Sequence, residues 1–230
     1  MKLSKQTLAL LKNFSTINSG IYFKSGNFIM TKSVNSAVYG EATLPDGENI
    51  DFDFAIFDLN GFLSILSLTG EDAEISSHKN GVLIKGKRTE VIWPEAEPQS
   101  IVYPKKAINF PEAQVEFTVS GEDYNQLMKL ARGLGADTIA ITNVDDKVVI
   151  KSFNKTIDTL LEKPLSTIEV DDYEGDNNFN FIIDLRNVKL QADDYTVKLW
   201  GNASNTAVKF DGTVANYVIA VEVDSTHDFN

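Results

Sequence analysis

Four of the chain's six prolines, Pro94, Pro98, Pro104 and Pro111, fall within one stretch of eighteen residues. Each proline removes a backbone donor and fixes φ, so this stretch is neither helix interior nor central strand. It reads as an extended connector that splits 230 residues into two halves of domain size. The expected domains are 1–110, with the connector beginning near 94, and 111–230.

The halves repeat one another. Each opens on a short amphipathic segment, Ser4 to Phe14 and Ser120 to Arg132. Ser120 followed by Glu122 and Asp123 predicts a capped, acidic helix start, and Gly133 or Gly135 a stop. Each half then carries an alternating strand that runs into Asp-Leu and a second short helix. These are Ile50 to Leu63 and Phe179 to Val188, with Asp58-Leu59 and Asp184-Leu185 lying 126 positions apart. Each half closes on period-two segments, Val82 to Trp93 and Tyr195 to Val223. Both halves are expected to be β-rich α+β units with two helices.

On a helical wheel of about 100° per residue, Leu3, Thr7, Leu10, Leu11 and Phe14 share one face and Lys2, Lys5, Ala9 and Lys12 the opposite one. In the second segment Tyr124, Leu127, Leu130 and Ala131 oppose Asn125, Lys129 and Arg132. A solvated charged face is one reading of such a stripe. The background argues for more, because the chain has 21 Lys+Arg against 33 Asp+Glu and a net charge of −12. Residues 1–115 hold 11 basic and 13 acidic side chains, and residues 116–230 hold 10 and 20. A basic stripe repeated on equivalent helices of an acidic chain suits a surface that meets phosphate, while the acidic remainder discourages indiscriminate binding.

Blocks of residues distributed end to end carry a resemblance. They are Met1-Lys2-Leu3-Ser4-Lys5, Leu11-Lys12-Asn13-Phe14, Ile17-Asn18-Ser19-Gly20-Ile21, Phe28-Ile29-Met30-Thr31, Asp58-Leu59-Asn60-Gly61-Phe62-Leu63, Asp137-Thr138-Ile139-Ala140-Ile141-Thr142, Asn178-Phe179-Asn180-Phe181 and Ala220 to Phe229. In this order they resemble the DNA polymerase sliding clamps of T4-type bacteriophages. The departures from the family are a longer turn at Leu44 to Asn49, the segment Leu161 to Pro164 and an extra Asn230 at the end.

The resemblance implies a two-domain DNA-clamp fold of α+β class, with a β-sheet outer wall and two inner helices per domain. It implies a head-to-tail homotrimer, a pseudo-sixfold ring closed around duplex DNA that tethers the replicative polymerase in viral DNA replication. An ATP-dependent clamp loader places such a ring on DNA, and late-transcription factors are further partners. The implied compartment is the cytoplasm of the infected host. The expected pore residues are Lys5, Lys12, Lys129, Arg132, Arg186 and Lys189, the last two on the second helix of the second half. The corresponding first-half helix, Asn60 to Leu68, carries no basic residue. The family's groove for partner peptides maps onto Tyr39, Ile108, Phe110, Tyr217 and Val218. The alternative for each of these is that it pins the connector onto a domain.

No enzyme is expected. The chain has no cysteine and two histidines, His78 and His227, without a ligand pattern. Asp171 to Asp176 lacks the spacing and closing glutamate of a calcium loop and reads as a solvated turn. Gly133-Leu134-Gly135 follows a helix, whereas a dinucleotide fingerprint follows a strand. No cofactor and no metal are expected. The opening residues lack the apolar run of a secretory signal, and no stretch reaches the ~20 residues of a membrane span, so the chain reads as soluble and intracellular. The competing reading is an oligomeric phage structural protein that does not thread DNA, which leaves the repeated basic stripes unexplained.

Overall fold

The computed structural model describes residues 1–70 and 72–229, which divide into two compact units, Met1–Ile108 and Asn109–Asn230. The first unit contains, in order, α1 (Lys5–Ile17), β1 (Ile21–Phe23), β2 (Phe28–Lys32), β3 (Val38–Thr43), β4 (Phe54–Ile56), α2 (Leu59–Thr69), β5 (Glu74–His78), β6 (Gly81–Lys85) and β7 (Glu90–Trp93). Within the unit β1 pairs antiparallel with β4, β2 with β3, and β5–β6–β7 form an antiparallel meander.

Capping explains where the helices begin. The Ser4 hydroxyl accepts the Thr7 backbone N–H at 3.1 Å, satisfying one of the orphan donors at the start of α1. Asp58 does the same for α2 by accepting from Gly61 N at 3.0 Å. Gly61 is required there, since a Cβ would run into the Asp58 carboxylate and the Trp93 ring. The two helices meet through Ser15, whose hydroxyl donates to Asn60 Oδ1 at 2.7 Å. Leu10, Leu11, Phe14 and Ile17 of α1 and Leu59, Phe62 and Leu66 of α2 are buried, as their i, i+3, i+4 spacing dictates. Phe23 stacks on Phe54 at 4.6 Å between ring centroids, and Phe62 stands edge-on to Trp93 at 5.8 Å.

The alternating run at Ile50 to Phe57 is less of a strand than its pattern suggests. Only Phe54–Ile56 pairs, while Ile50 makes an isolated bridge to Gly26. Asp53 interrupts the ladder by accepting from Ser25 N at 2.7 Å and from the Tyr22 hydroxyl at 2.9 Å, the local competition that short polar side chains offer to sheet pairing.

The second unit contains β8 (Val115–Val119), α3 (Gly121–Gly133), β9 (Thr138–Val144), β10 (Lys147–Phe153), β11 (Ser166–Asp172), β12 (Phe179–Asp184), β13 (Tyr195–Gly201), β14 (Thr206–Gly212), β15 (Asn216–Ala220) and β16 (Thr226–His227). The strands form two antiparallel arrays, β11–β10–β9–β12–β16 and β15–β14–β13–β8. Ser120 caps α3 through Asp123 N at 3.1 Å, and Glu122, Asp123 and Arg132 complement its dipole. The stop is Gly135, at a φ of 70°, where a side chain would be strained. Tyr124, Leu127, Met128 and Ala131 form its buried face, and the Tyr124 hydroxyl donates to Leu190 O at 3.1 Å. Burial pushes that phenol up to about 12.

The expectation of two helices per half fails in the second unit. The segment after Asp184 is a single 3₁₀ turn, Leu185–Asn187, so the described residues hold three α-helices. Chain length is the reason. Residues 57–73 separate β4 from β5 and accommodate the eleven residues of α2, whereas only residues 185–194 separate β12 from β13. Val188 and Leu190 must also be buried within that short return. No helix among the described residues is long and apolar enough to cross a membrane.

Phe62 has no exposed surface and sits between Phe54 and Trp93. Phe62→Ala is expected to destabilise the chain by about 3–5 kcal/mol, measured by urea unfolding with tryptophan fluorescence.

Candidate nucleic-acid interface

Burial of one helical face decides where the charges go. With Leu10, Leu11 and Phe14 inward, Lys5 and Lys12 are exposed two turns apart on α1. With Leu127, Met128 and Ala131 inward, Lys129 and Arg132 are exposed one turn apart on α3. Among the described residues, none of Lys12, Lys129 and Arg132 forms a salt bridge. Several strand lysines are paired instead: Lys85 with Glu90 at 2.8 Å, Lys209 with Asp211 at 2.7 Å and Lys198 with Asp211 at 2.9 Å. Those three helix cations are therefore available to an external anion. α2 contributes none, and its Leu63 and exposed Leu68 line the α1–α2 cleft together with Leu8, Lys5 and Lys12 of α1.

Arg186 and Lys189 lie on and just after the 3₁₀ turn rather than on a helix. Arg186 is exposed, and its Nε donates to both Asp184 carboxylate oxygens at 3.0 Å. Lys189 is half-buried. The Arg186 guanidinium holds the Asp184 carboxyl below the usual carboxylate range. Nearby Asp137 is partly desolvated, which alone would raise it. Hydrogen bonds from Lys155 N at 2.8 Å, the Thr138 hydroxyl at 2.8 Å and the Thr156 hydroxyl at 3.1 Å outweigh that and hold it low.

The five groove candidates divide between the units, Tyr39 and Ile108 in the first and Phe110, Tyr217 and Val218 in the second. Tyr217 is fully buried, with its ring against Tyr195, and Tyr39 is nearly so, with its hydroxyl donating to Glu41 at 2.5 Å. Burial raises both phenols. These two act here as packing residues. Ile108 is exposed and Phe110 and Val218 are half-buried, so these three offer apolar surface. Val218 follows Tyr217 on β15 and points to the opposite face, as a pleated strand requires.

Three features have roles that the sequence reading does not assign. Asn18, at the end of α1, is buried; its amide donates to Lys32 O and to Val102 O, both at 2.8 Å, and its carbonyl accepts Gly20 N at 2.9 Å. It ties the connector to the helix end, and an amide directly after the buried Ile17 is the available signal. Ile157 and Leu160, in the loop between β10 and β11, are 84% and 76% exposed. Large apolar side chains exposed on a loop are legible as a contact surface. Asp184 marks a helix start in the sequence pattern, which gives no sign of its ion pair with Arg186.

A family model described as DNA polymerase processivity factor matches residues 2–103, and one described as gp45 sliding clamp, C terminal, matches residues 116–223. The proteins called Sliding clamp from Escherichia phage RB69 and Enterobacteria phage T4 are each 51% identical to this chain over 230 residues, covering all of both chains. Among solved structures, that of the C-terminal region of FEN-1 bound to A. fulgidus PCNA superposes with a TM-score of 0.63 at 12% identity, over 97% of this chain and 98% of that one. That likeness is one of fold.

Asp137 and Asp184 have folded pKa values below their unfolded ones, so their stabilisation is complete above the unfolded carboxylate value of about 4 and is lost as pH falls through the folded values. The thermal midpoint is expected to hold from about pH 7 to about pH 5 and to fall below about pH 4. Asp137→Asn lowers the midpoint at neutral pH, and the gap to wild type closes in acid, as measured by calorimetry across pH.

Proposed function

The chain belongs to the sliding-clamp family of DNA polymerase processivity factors, and we propose that it acts as a head-to-tail homotrimeric ring threaded by duplex DNA. The observation that carries this reading is the pair of outward basic faces, Lys5 with Lys12 and Lys129 with Arg132, in a chain of net charge −12. These four residues are the DNA-facing set. A ring holds DNA by topology, so it needs neither base contacts nor tight phosphate binding. Weak, exposed, sequence-independent cations suit a protein that must stay on the duplex and still slide.

Ring closure is supported by two sheet edges. β7 ends the β5–β6–β7 meander and bears the half-exposed Ile92, while β11 ends the five-stranded array beside Ile157 and Leu160. An edge strand next to exposed apolar side chains is a surface that pairing with another chain would cover. Joining two different edges gives a heterologous contact, which makes a closed ring when the rotation closes.

Partner binding is the second activity. The A. fulgidus PCNA that shares this fold is bound to the C-terminal region of FEN-1. By extension the replicative polymerase and the clamp-loader ATPase dock terminal peptides on this chain, at the apolar surface offered by Ile108, Phe110 and Val218. Late-transcription factors would use the same kind of surface. The site of action is the cytoplasm of the infected host.

Loading on nicked circular DNA with the cognate loader and ATP, followed by linearisation, tests threading: retention on the circle and loss from the linear form are expected. Equal retention on both would favour the non-threading structural protein. Reversing Lys5, Lys12, Lys129 and Arg132 to Glu should leave the trimer intact and lower the salt slope of DNA retention by up to about four per subunit, about one for each phosphate no longer neutralised. Leu160→Asp, alone or with Ile157→Asp, should shift the protein from trimer to monomer in analytical ultracentrifugation. An unchanged trimer would remove that loop from the interface.

A further inference from the structure

The two units treat the residues after their Asp-Leu pair differently. In the first, Asp58 caps a helix with no charged side chain. In the second, Asp184 starts a turn that presents an arginine to solvent. Its carboxylate accepts the Arg186 backbone N–H at 2.8 Å, Arg186 Nε with both oxygens at 3.0 Å, and Arg186 Nη2 at 2.5 Å. The Asp184 side chain is 18% exposed and that of Arg186 is 88% exposed, so the acid is anchored in the protein and the guanidinium lies over it at the surface. Asp137 and Glu222 line the same hollow and add to the negative field on Arg186. Lys155, the other cation there, is paired with Asp224 at 2.7 Å. The arginine expected beside the duplex in a threaded ring is thus already occupied.

We infer that Asp184 is a positioning residue that holds Arg186 off the DNA phosphates, so that the second-unit turn passes the duplex without electrostatic grip. The inference rests on the threaded-ring reading. Arg186 and Asp184 are two residues apart and share a bidentate geometry that a guanidinium otherwise offers to phosphate. A phosphate must displace a partner held at high effective concentration. Each phosphate contact that forms during sliding must break before the next step, so an arginine kept on its own carboxylate removes a brake while the cations of α1 and α3 keep the duplex centred.

Asp184→Asn separates the charge from the cap, because the amide oxygen still accepts the Arg186 N–H that starts the turn. The chain has no cysteine, so Ser204→Cys gives a single dye position on an exposed loop. The one-dimensional diffusion coefficient of loaded rings on long duplex DNA is then compared across salt. Asp184→Asn is expected to slow diffusion about two- to fivefold at low ionic strength, the range set by the loss of one exposed ion pair. The difference should vanish at high salt and in the double variant Asp184→Asn/Arg186→Ala, and Arg186→Ala alone should slide like wild type. Wild-type diffusion in Asp184→Asn, or an equally slow double variant, would overturn the inference. Faster sliding by Arg186→Ala alone would also overturn it, since Arg186 would then be gripping already, and that arm decides the matter should Asp184→Asn fail to fold. Wild-type rings that leave circular and linear DNA at the same rate would overturn the threaded-ring reading itself, a failure visible before any variant is compared.

Discussion

The burial of one face of α1 and of α3 is the constraint from which the functional surface follows. Leu10, Leu11 and Phe14 in the first helix, and Leu127, Met128 and Ala131 in the second, have no low-energy alternative to facing the strands of their own unit. A helix rotated by half a turn would expose them and bury Lys12 or Lys129, at a cost well above any gain from ion pairing. The apolar residues aim the cations, and the cations need no interaction of their own to be held outward.

This division of labour accounts for the chain's charge. Lys85, Lys198 and Lys209 on the strands are paired with carboxylates, which cancels their charge at the sheet surface. Three of the helix cations have no salt bridge among the described residues. An acidic protein can therefore serve DNA without adhering to it broadly, because the sign of the field depends on which surface is approached. The same logic assigns Arg186 to the silent side. Its charge is cancelled at the place where it projects, by a carboxylate that the turn requires as a cap.

Much of this was legible residue by residue. The Ser120 cap, the 3.6-residue stripes and the period-two run of β13 rest on local physics, and local physics is written in neighbouring positions. The second helix of the second unit was not, because the Asp-Leu start resembles that of α2 while the helix is limited by the distance to the next strand. Tyr217 and Val218 show the same limit. Adjacent aromatic and aliphatic residues on a strand announce that one faces in and one faces out, but which does so depends on the strand's pairing register.

Composition, periodicity and many ordered blocks carry the α+β class, the helix faces and the family without coordinates. Which candidates are reachable, and which are already engaged, emerges from the packing. Tyr217 is sealed beneath its sheet, Asn18 reaches across 84 positions to hold the connector, and Arg186 is bound to the acid two residues before it. Accessibility and hydrogen-bond partnership are properties of packing between distant segments, and in no single stretch of the chain are they encoded.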